Sequence, residues 1–313
     1  MKASKAKTPP PFSRRRLHSF AGFWFTLFLI EHLITNSQAA LWITDDGSGF
    51  VHGVNFIYNL PYLPLIEIGL LAFPILIHMV LGINYLFEAA PNSYKTDGTT
   101  PALPQYPRNK AYTWQRITSW ILLFLVVFHV IQMRFFDYPS HAKVGDKQYY
   151  MVKAGRDDGL DTLAERLGVQ IYDQDKIETQ KDLIGKIPEG SSEEDDLIAQ
   201  KKEQEQAFLS ALQERPIQSY EVIAVAPDFG TAALLLVRET FKMPLMIAIY
   251  TIFVLSACFH AFNGLWTFLI TWGVSLTVRS QWMMRTFTTV LMAAIAFLGL
   301  SAVWLTFWVT LRN

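Results

Sequence analysis

Five long runs of apolar positions, about 17–41, 63–88, 112–136, 242–272 and 285–311, dominate the chain. Each is rich in Leu, Ile, Val and Phe and reaches the roughly 20 residues that a helix needs to cross about 30 Å of hydrocarbon. The runs therefore predict five transmembrane helices. Trp24, Trp42, Trp114, Trp272, Trp282 and Trp308 lie mostly near their ends, where an interfacial aromatic belt belongs. Between the third and fourth runs the pattern changes. Leu160, Leu163 and Leu167 recur at helical spacing, with Gly168 placed to stop the helix. Val169-Gln170-Ile171-Tyr172 alternates like a short strand. Leu197, Ile198, Phe208, Leu209 and Leu212 give a weak stripe that predicts a helix over 193–214. Ser191-Ser192-Glu193-Glu194-Asp195-Asp196 reads as its acidic start, which the helix dipole favours.

Composition sharpens the division. Residues 17–94 hold no Lys or Arg, whereas 138–242 hold 13 Lys/Arg and 20 Asp/Glu. The expected architecture is an all-α membrane protein, with a small polar extramembrane insert between helices 3 and 4. Its parts are a basic amino-terminal segment 1–16, helices 1–3 within 17–138, the insert 139–225, and helices 4–5 within 226–313. The insert offers no nucleotide loop, metal-ligand cluster or nucleophile–base pair, and reads as a solvated structural or docking element. Lys+Arg and Asp+Glu are both 27, so no basic surplus points to nucleic acid. The single cysteine, Cys258, excludes a disulfide framework, a CxxCH haem attachment and a cysteine-ligated cluster.

Short-loop cations set orientation. Lys2, Lys5, Lys7, Arg14, Arg15 and Arg16 precede span 1; Lys95, Arg108 and Lys110 separate spans 2 and 3; Arg279 lies between spans 4 and 5, with Arg285 at the start of the fifth. The loop after span 1 carries Asp45 and Asp46 but no cation. The amino terminus is thus expected on the cytoplasmic side, with the insert and carboxyl terminus outside. A cleaved signal peptide, suggested by Arg14–Arg16 and Ser37-Gln38-Ala39, fits less well. The run is too long for such a segment, and Glu31-His32 interrupts it.

Four of the seven histidines fall inside spans: His32, His78, His129 and His260, one on each of spans 1 to 4. A lone intramembrane histidine is as often a hydrogen-bonding link between helices as a functional group, but four on four helices invite a ligand role. At 1.5 Å per residue, His32 and His129 lie about 22 and 25 Å from the inner ends of their spans, and His78 and His260 about 15 and 18 Å. Two levels result: an outer pair, His32 with His129, and an inner pair, His78 with His260. Two imidazoles close both axial positions of a haem iron, which then suits single-electron transfer. Gly82 and Gly264 follow His78 and His260 by four residues and would make room for a macrocycle. Pro74 deprives the Leu70 carbonyl of its helical donor, and that carbonyl is a candidate partner for the His78 ring N–H. His18, 14 residues before His32, mimics the paired spacing of quinol–cytochrome c reductase cytochromes, but no second helix repeats it. It reads as an interfacial residue near the inner haem or its propionates, and His52 and His141 read as loop residues.

These stretches, taken in order, resemble the cytochrome b membrane anchor of succinate dehydrogenase or fumarate reductase, in its single-chain, five-helix, two-haem form. The resemblance rests on Arg15-Arg16-Leu17-His18-Ser19 with Glu31-His32-Leu33, and on Pro74-Ile75-Leu76-Ile77-His78 with Gly82. It continues through Gln115-Arg116 with Phe128-His129-Val130, Phe259-His260-Ala261-Phe262-Asn263-Gly264-Leu265-Trp266, Thr271-Trp272-Gly273 and Val278-Arg279-Ser280-Gln281. It implies two b haems on His32/His129 and His78/His260, a bacterial cytoplasmic membrane, and a quinone substrate of the menaquinone type. It also implies flavoprotein and iron–sulfur partners on the cytoplasmic face, in a complex that is open to dimerising. Electrons would pass from the iron–sulfur subunit through the inner and then the outer haem, or the reverse, while succinate chemistry stays on the partners. Quinone reduction also moves protons, and Glu67 near the outer end of span 2 and Glu31 beside His32 are the candidate relays. The insert departs from the shortest relatives and matches the enlarged form of some bacterial anchors. Two rivals remain. The anchor of a hydrogenase or formate dehydrogenase would share haem and quinone but use another donor. A haem-free transporter would lack the inverted repeat common in that class.

Overall fold

The computed structural model describes residues 12–41, 45–88, 105–186, 193–214 and 216–312. Lys2, Lys5, Lys7, Trp42, Lys95, Ser191 and Ser192 lie outside them, as do the side chains of Glu193, Glu194, Asp195, Asp196 and Leu197. All five apolar runs are helical, and the helices over Phe12–Leu41, Leu63–Phe87, Pro107–Phe136, Pro244–Thr271 and Val278–Thr310 are long and apolar enough to cross a membrane.

Helix α1 (Phe12–Leu41) is followed by α2 (Ser48–Tyr58). The second span comprises α3 (Leu63–Ile66), a π turn at Glu67–Ala72 and α4 (Phe73–Glu88). The wide turn comes just before Pro74, whose missing N–H and bulky ring disturb the preceding ladder. The third span is α5 (Pro107–Ile131), with a π turn over Gln132–Phe136. Three spans begin earlier than hydrophobicity alone predicts, at Phe12, Pro107 and Val278. The added turns carry Arg14, Arg15, Arg16, Arg108, Lys110 and Arg279, because helical hydrogen bonding continues past the hydrocarbon while long cationic chains reach into the headgroups. At the last of these starts, the Ser280 amide donates to Thr277 Oγ1 and the Thr277 amide to Ser280 Oγ, both at 3.1 Å, a reciprocal cap.

The chain divides into two compact units, Met1–Leu33 with Tyr62–Val126 and Ile252–Phe297, and Ile34–Pro61 with Val127–Thr251 and Leu298–Asn313. Every regular element described in the first is helical. There the Trp24 indole donates to the Leu70 carbonyl at 2.7 Å, Phe23 stacks on Phe268 at 4.5 Å, and Arg108 reaches Gln281 at 2.6 Å.

The second unit adds a sheet to the helices. Strands β1 (Ser140–Val144), β2 (Lys147–Gly155), β3 (Gln170–Tyr172) and β4 (Glu221–Ala226) form an antiparallel sheet of order β1-β2-β4-β3. Val222 to Ala226 are all buried, the mark of a strand covered on both faces. On one face Met151, Ile223 and Val225 join Ile177, Ile184, Phe208, Leu209 and Leu212 of α7 (Gln174–Gly185) and α8 (Glu193–Gln213). Helix α9 (Phe229–Lys242) also packs on β2 and β4. Helix α6 (Leu160–Leu167) ends at Gly168 with φ 65°, as its leucine spacing and glycine predict. Neither α7, β1, β2, β4 nor α2 stands out in the sequence pattern. Helix α7 has a signal in hindsight, since Asp173 caps it by accepting from the Lys176 amide at 3.0 Å. Where α2 meets α9, a Cβ on Gly230 would lie 2.5 Å from the Val51 carbonyl oxygen, so only glycine fits. Asn55 bridges the same crossing, donating to Asp228 at 2.7 Å and accepting from the Gly230 amide at 2.7 Å.

Helix α9 falls in the segment assigned to helices 4 and 5, but the fourth span, α10 (Pro244–Thr271), begins only after it. Arg238 of α9 is fully buried. It donates to Asp157 at 2.7 Å, to Glu239 at 2.5 Å and to the Leu311 carbonyl at 2.7 Å. Leu311 follows α11 (Val278–Leu305) and its terminal π turn Thr306–Thr310. Lys242 completes the cluster on Asp157 at 2.6 Å. Burial would raise the Asp157 carboxyl, but hydrogen bonds from Arg238 and Lys242 and their charges hold it below its ordinary value.

Candidate functional site

In the first unit α1, α4 and α10 bring three histidines together. His18 and His78 stack at 4.1 Å between centroids and 14° between planes, and His78 meets His260 edge-on at 6.1 Å and 87°. A Cβ on Gly22 would sit 2.7 Å from the His78 ring, so the glycine on α1 is what lets that ring lie against the helix. Gly82 faces the His18 ring instead, and Gly264 faces Gln115. The glycines four residues after His78 and His260 therefore clear space for neighbouring side chains.

Hydrogen bonds set the ring protons. His78 Nδ1 lies 3.0 Å from the His18 carbonyl oxygen. A carbonyl only accepts, so Nδ1 carries the hydrogen and Nε2 the lone pair. The expected partner, the Leu70 carbonyl, is engaged by Trp24 instead. The orphan that Pro74 creates is real, but an indole from α1 reaches it first. His260 Nδ1 lies 3.3 Å from Thr118 Oγ1. The Thr118 hydroxyl directs its hydrogen at the Trp114 carbonyl, 2.8 Å away, so at His260 it accepts, and Nε2 again holds the lone pair. Gln115 grips the same turn, donating to the His260 carbonyl at 3.0 Å and accepting from Asn263 at 2.8 Å. Gln115, Thr118 and Gly22 carry no sign of this role in the linear pattern.

The remaining candidates have separate surroundings. His32, in the first unit, packs on Phe28 one turn earlier at 5.2 Å. His129 belongs to the second unit, where its Nδ1 lies 3.1 Å from the Tyr250 hydroxyl. Tyr250 donates to Gln132 at 3.0 Å, so its oxygen accepts from His129 Nδ1. Tyr250 and Gln132 are buried, and neither stands out in the linear pattern of the chain. Glu67 opens the π turn of the second span, and Glu31 is exposed. His52 and His141 sit in α2 and β1 rather than in loops, both exposed.

The geometry can be tested against a haem. Among the described residues no group of three or more His, Cys, Asp or Glu is placed to hold a bare metal ion. A porphyrin brings four nitrogens and needs only two axial imidazoles. Imidazole nitrogens bind a metal at about 2.0 Å, so two on opposite sides are separated by about 4 Å. Rings with centroids 6.1 Å apart and lone pairs on Nε2 suit that separation. His78 and His260 fit the group.

Over 293 residues, 93% of this chain and 95% of the other, the sequence is 24% identical to the succinate dehydrogenase cytochrome b558 subunit of Bacillus subtilis (strain 168). The chain is a relative of that cytochrome subunit. The alignment covers nearly the whole length of both chains, so the likeness extends well beyond the histidine-bearing stretches. No family model matches the chain, and no solved structure matches it.

Proposed function

We propose that the chain is the membrane subunit of a succinate dehydrogenase or fumarate reductase complex, transferring electrons between an iron–sulfur partner and a membrane quinone, with menaquinone as the favoured species. The observation that carries this reading is the facing pair His78 and His260, each with Nδ1 committed to a protein acceptor. A haem b bound there supplies reversible one-electron chemistry with no open coordination position. The chain's own residues do the positioning. Gly22 admits the His78 ring, the His18 carbonyl and Thr118 fix the ring protons, and Gln115 with Asn263 steadies the helix turn bearing His260.

His32 and His129 are proposed as ligands of a second, outer haem on the strength of their sequence depth and the resemblance. The Tyr250–Gln132 pair would orient His129. The proposed location is a bacterial cytoplasmic membrane, with the amino terminus inside and the insert and carboxyl terminus outside. Succinate chemistry would belong to the flavoprotein partner. Glu67 and Glu31 are proposed to relay protons to the quinone. In Glu67→Gln, quinone turnover is expected to fall about a hundredfold, the scale of a lost acid–base group, with both haems retained. Unchanged turnover would remove Glu67 from the mechanism.

The whole reading is tested by purifying the tagged chain from membranes. A b-type reduced-minus-oxidised spectrum, two haems per chain and a co-purifying flavin-containing subunit are expected. A colourless, folded and assembled complex overturns it. Haem with a hydrogenase or formate dehydrogenase subunit in place of the flavoprotein assigns the chain to the other anchor class.

A further inference from the structure

Four buried side-chain atoms in the first unit have no hydrogen-bond partner among the described residues: Arg16 Nε, Tyr85 Oη, Arg116 Nη1 and Trp266 Nε1. All four can donate. Neither arginine pairs with a carboxylate among the described residues, although both lie in spans. A buried guanidinium N–H left without an acceptor is costly, and an anion is the partner that satisfies it best.

The surroundings hold these donors in place. The Arg16 guanidinium lies over the Phe12 and Trp272 rings at 4.2 and 5.0 Å. Arg116 Nη2 donates to the Leu86 carbonyl at 3.0 Å, which anchors the group while leaving Nη1 unpaired. Tyr85, next to Leu86 in the chain, sets its ring edge-on to His18 at 5.2 Å, and His18 in turn stacks on His78. Arg116 adjoins Gln115, which bonds the His260 carbonyl. Arg16 precedes His18 by two residues. The unpaired donors thus lie on the four helices that supply His18, His78, His260 and the side chains bonded to the His260 turn.

We propose that Arg16 and Arg116, assisted by Tyr85, form a receptor for the two propionate carboxylates of the porphyrin held by His78 and His260. This rests on the haem reading above. Two guanidinium groups match two carboxylates in number and charge, and ionised hydrogen bonds of this kind are the strong ones. Pairing would satisfy donors that otherwise remain buried and unmet.

The test uses the full chain made under haem limitation, in a His129→Ala background so that only the inner site loads. It is titrated with iron protoporphyrin IX and, separately, with its dimethyl ester, following the Soret band. The unaltered receptor should prefer the free diacid, and Arg16→Gln and Arg116→Gln should each lower that preference about tenfold, the scale of one lost charge-assisted hydrogen bond. Ester affinity should stay constant, which also reports that each variant is folded. Arg116→Lys should recover part of the preference; it provides the comparison if Arg116→Gln does not fold. An unchanged diacid-to-ester ratio in these variants overturns the receptor, as does a loss of bound anionic lipid with the ratio intact. If neither porphyrin binds the unaltered receptor, the haem reading itself fails.

Discussion

Replacing His260 by alanine is expected to halve the haem content, from two per chain to one, and to remove the inner haem's signal from a redox titration. The expectation follows from the pairing at 6.1 Å with His78: a haem proposed to be held by two imidazoles loses one of its two protein ligands. His18 provides the control. Its ring stacks on His78 at 4.1 Å, too close for the two to sit on opposite sides of one iron, so it packs against the proposed ligand. His18→Ala should keep both haems. A haem-to-polypeptide ratio of two in His260→Ala, or of one in His18→Ala, would refute the assignment. The measurement needs only pigment and protein quantification, so it is independent of turnover and of the partner subunits.

Arg238→Ala should destabilise the second unit by about 3–5 kcal/mol, the usual cost of breaking a buried charge pair on one side. The guanidinium serves Asp157, Glu239 and the Leu311 carbonyl at once, and its removal takes a donor from two part-buried carboxylates and from the carbonyl of buried Leu311. Arg238→Lys should rescue little, because a single ammonium cannot reproduce the planar fork. Denaturant unfolding followed through the insert's own signal checks both. The pH dependence has a defined sign. Asp157 titrates below its ordinary value in the folded protein, so its stabilisation is complete above the unfolded carboxylate pKa of about 3.9 and is lost as pH falls through the folded value. Arg238→Ala should weaken this acid sensitivity without abolishing it, since Lys242 still contacts Asp157. An unfolding midpoint equal to that of the natural protein would show that the cluster contributes nothing.

The same cluster illustrates what a linear reading misses. Asp157, Arg238 and Leu311 are scattered along the chain, and nothing about an arginine in an apolar stretch announces that it is buried. The sheet was equally hidden. β1 and β2 carry mixed polar and apolar residues, and β4 is a glutamate followed by five apolar residues, a run that periodicity alone cannot tell from helix. Its strand character comes from pairing on both sides, by β2 and β3. The inner site divides in the same way. That His78 and His260 lie on separate helices could be read from spacing. The partner of each ring could not: Pro74 made the Leu70 carbonyl available, yet Trp24 took it.

By itself, the sequence determined five helices long and apolar enough to cross a membrane and a polar stretch between the third and fourth. Helix length, apolar content and rise per residue are local quantities, and the hydrocarbon slab converts them into position. Tertiary structure alone decided which groups the His78, His260 and His129 rings bond, that Gly22 admits His78, that His18 stacks beside it, and that Arg16 and Arg116 each keep a buried N–H unpartnered among the described residues. Those outcomes depend on rotation of one helix against another and on competition among donors from distant segments, and neither is encoded in the spacing along a single strand of sequence.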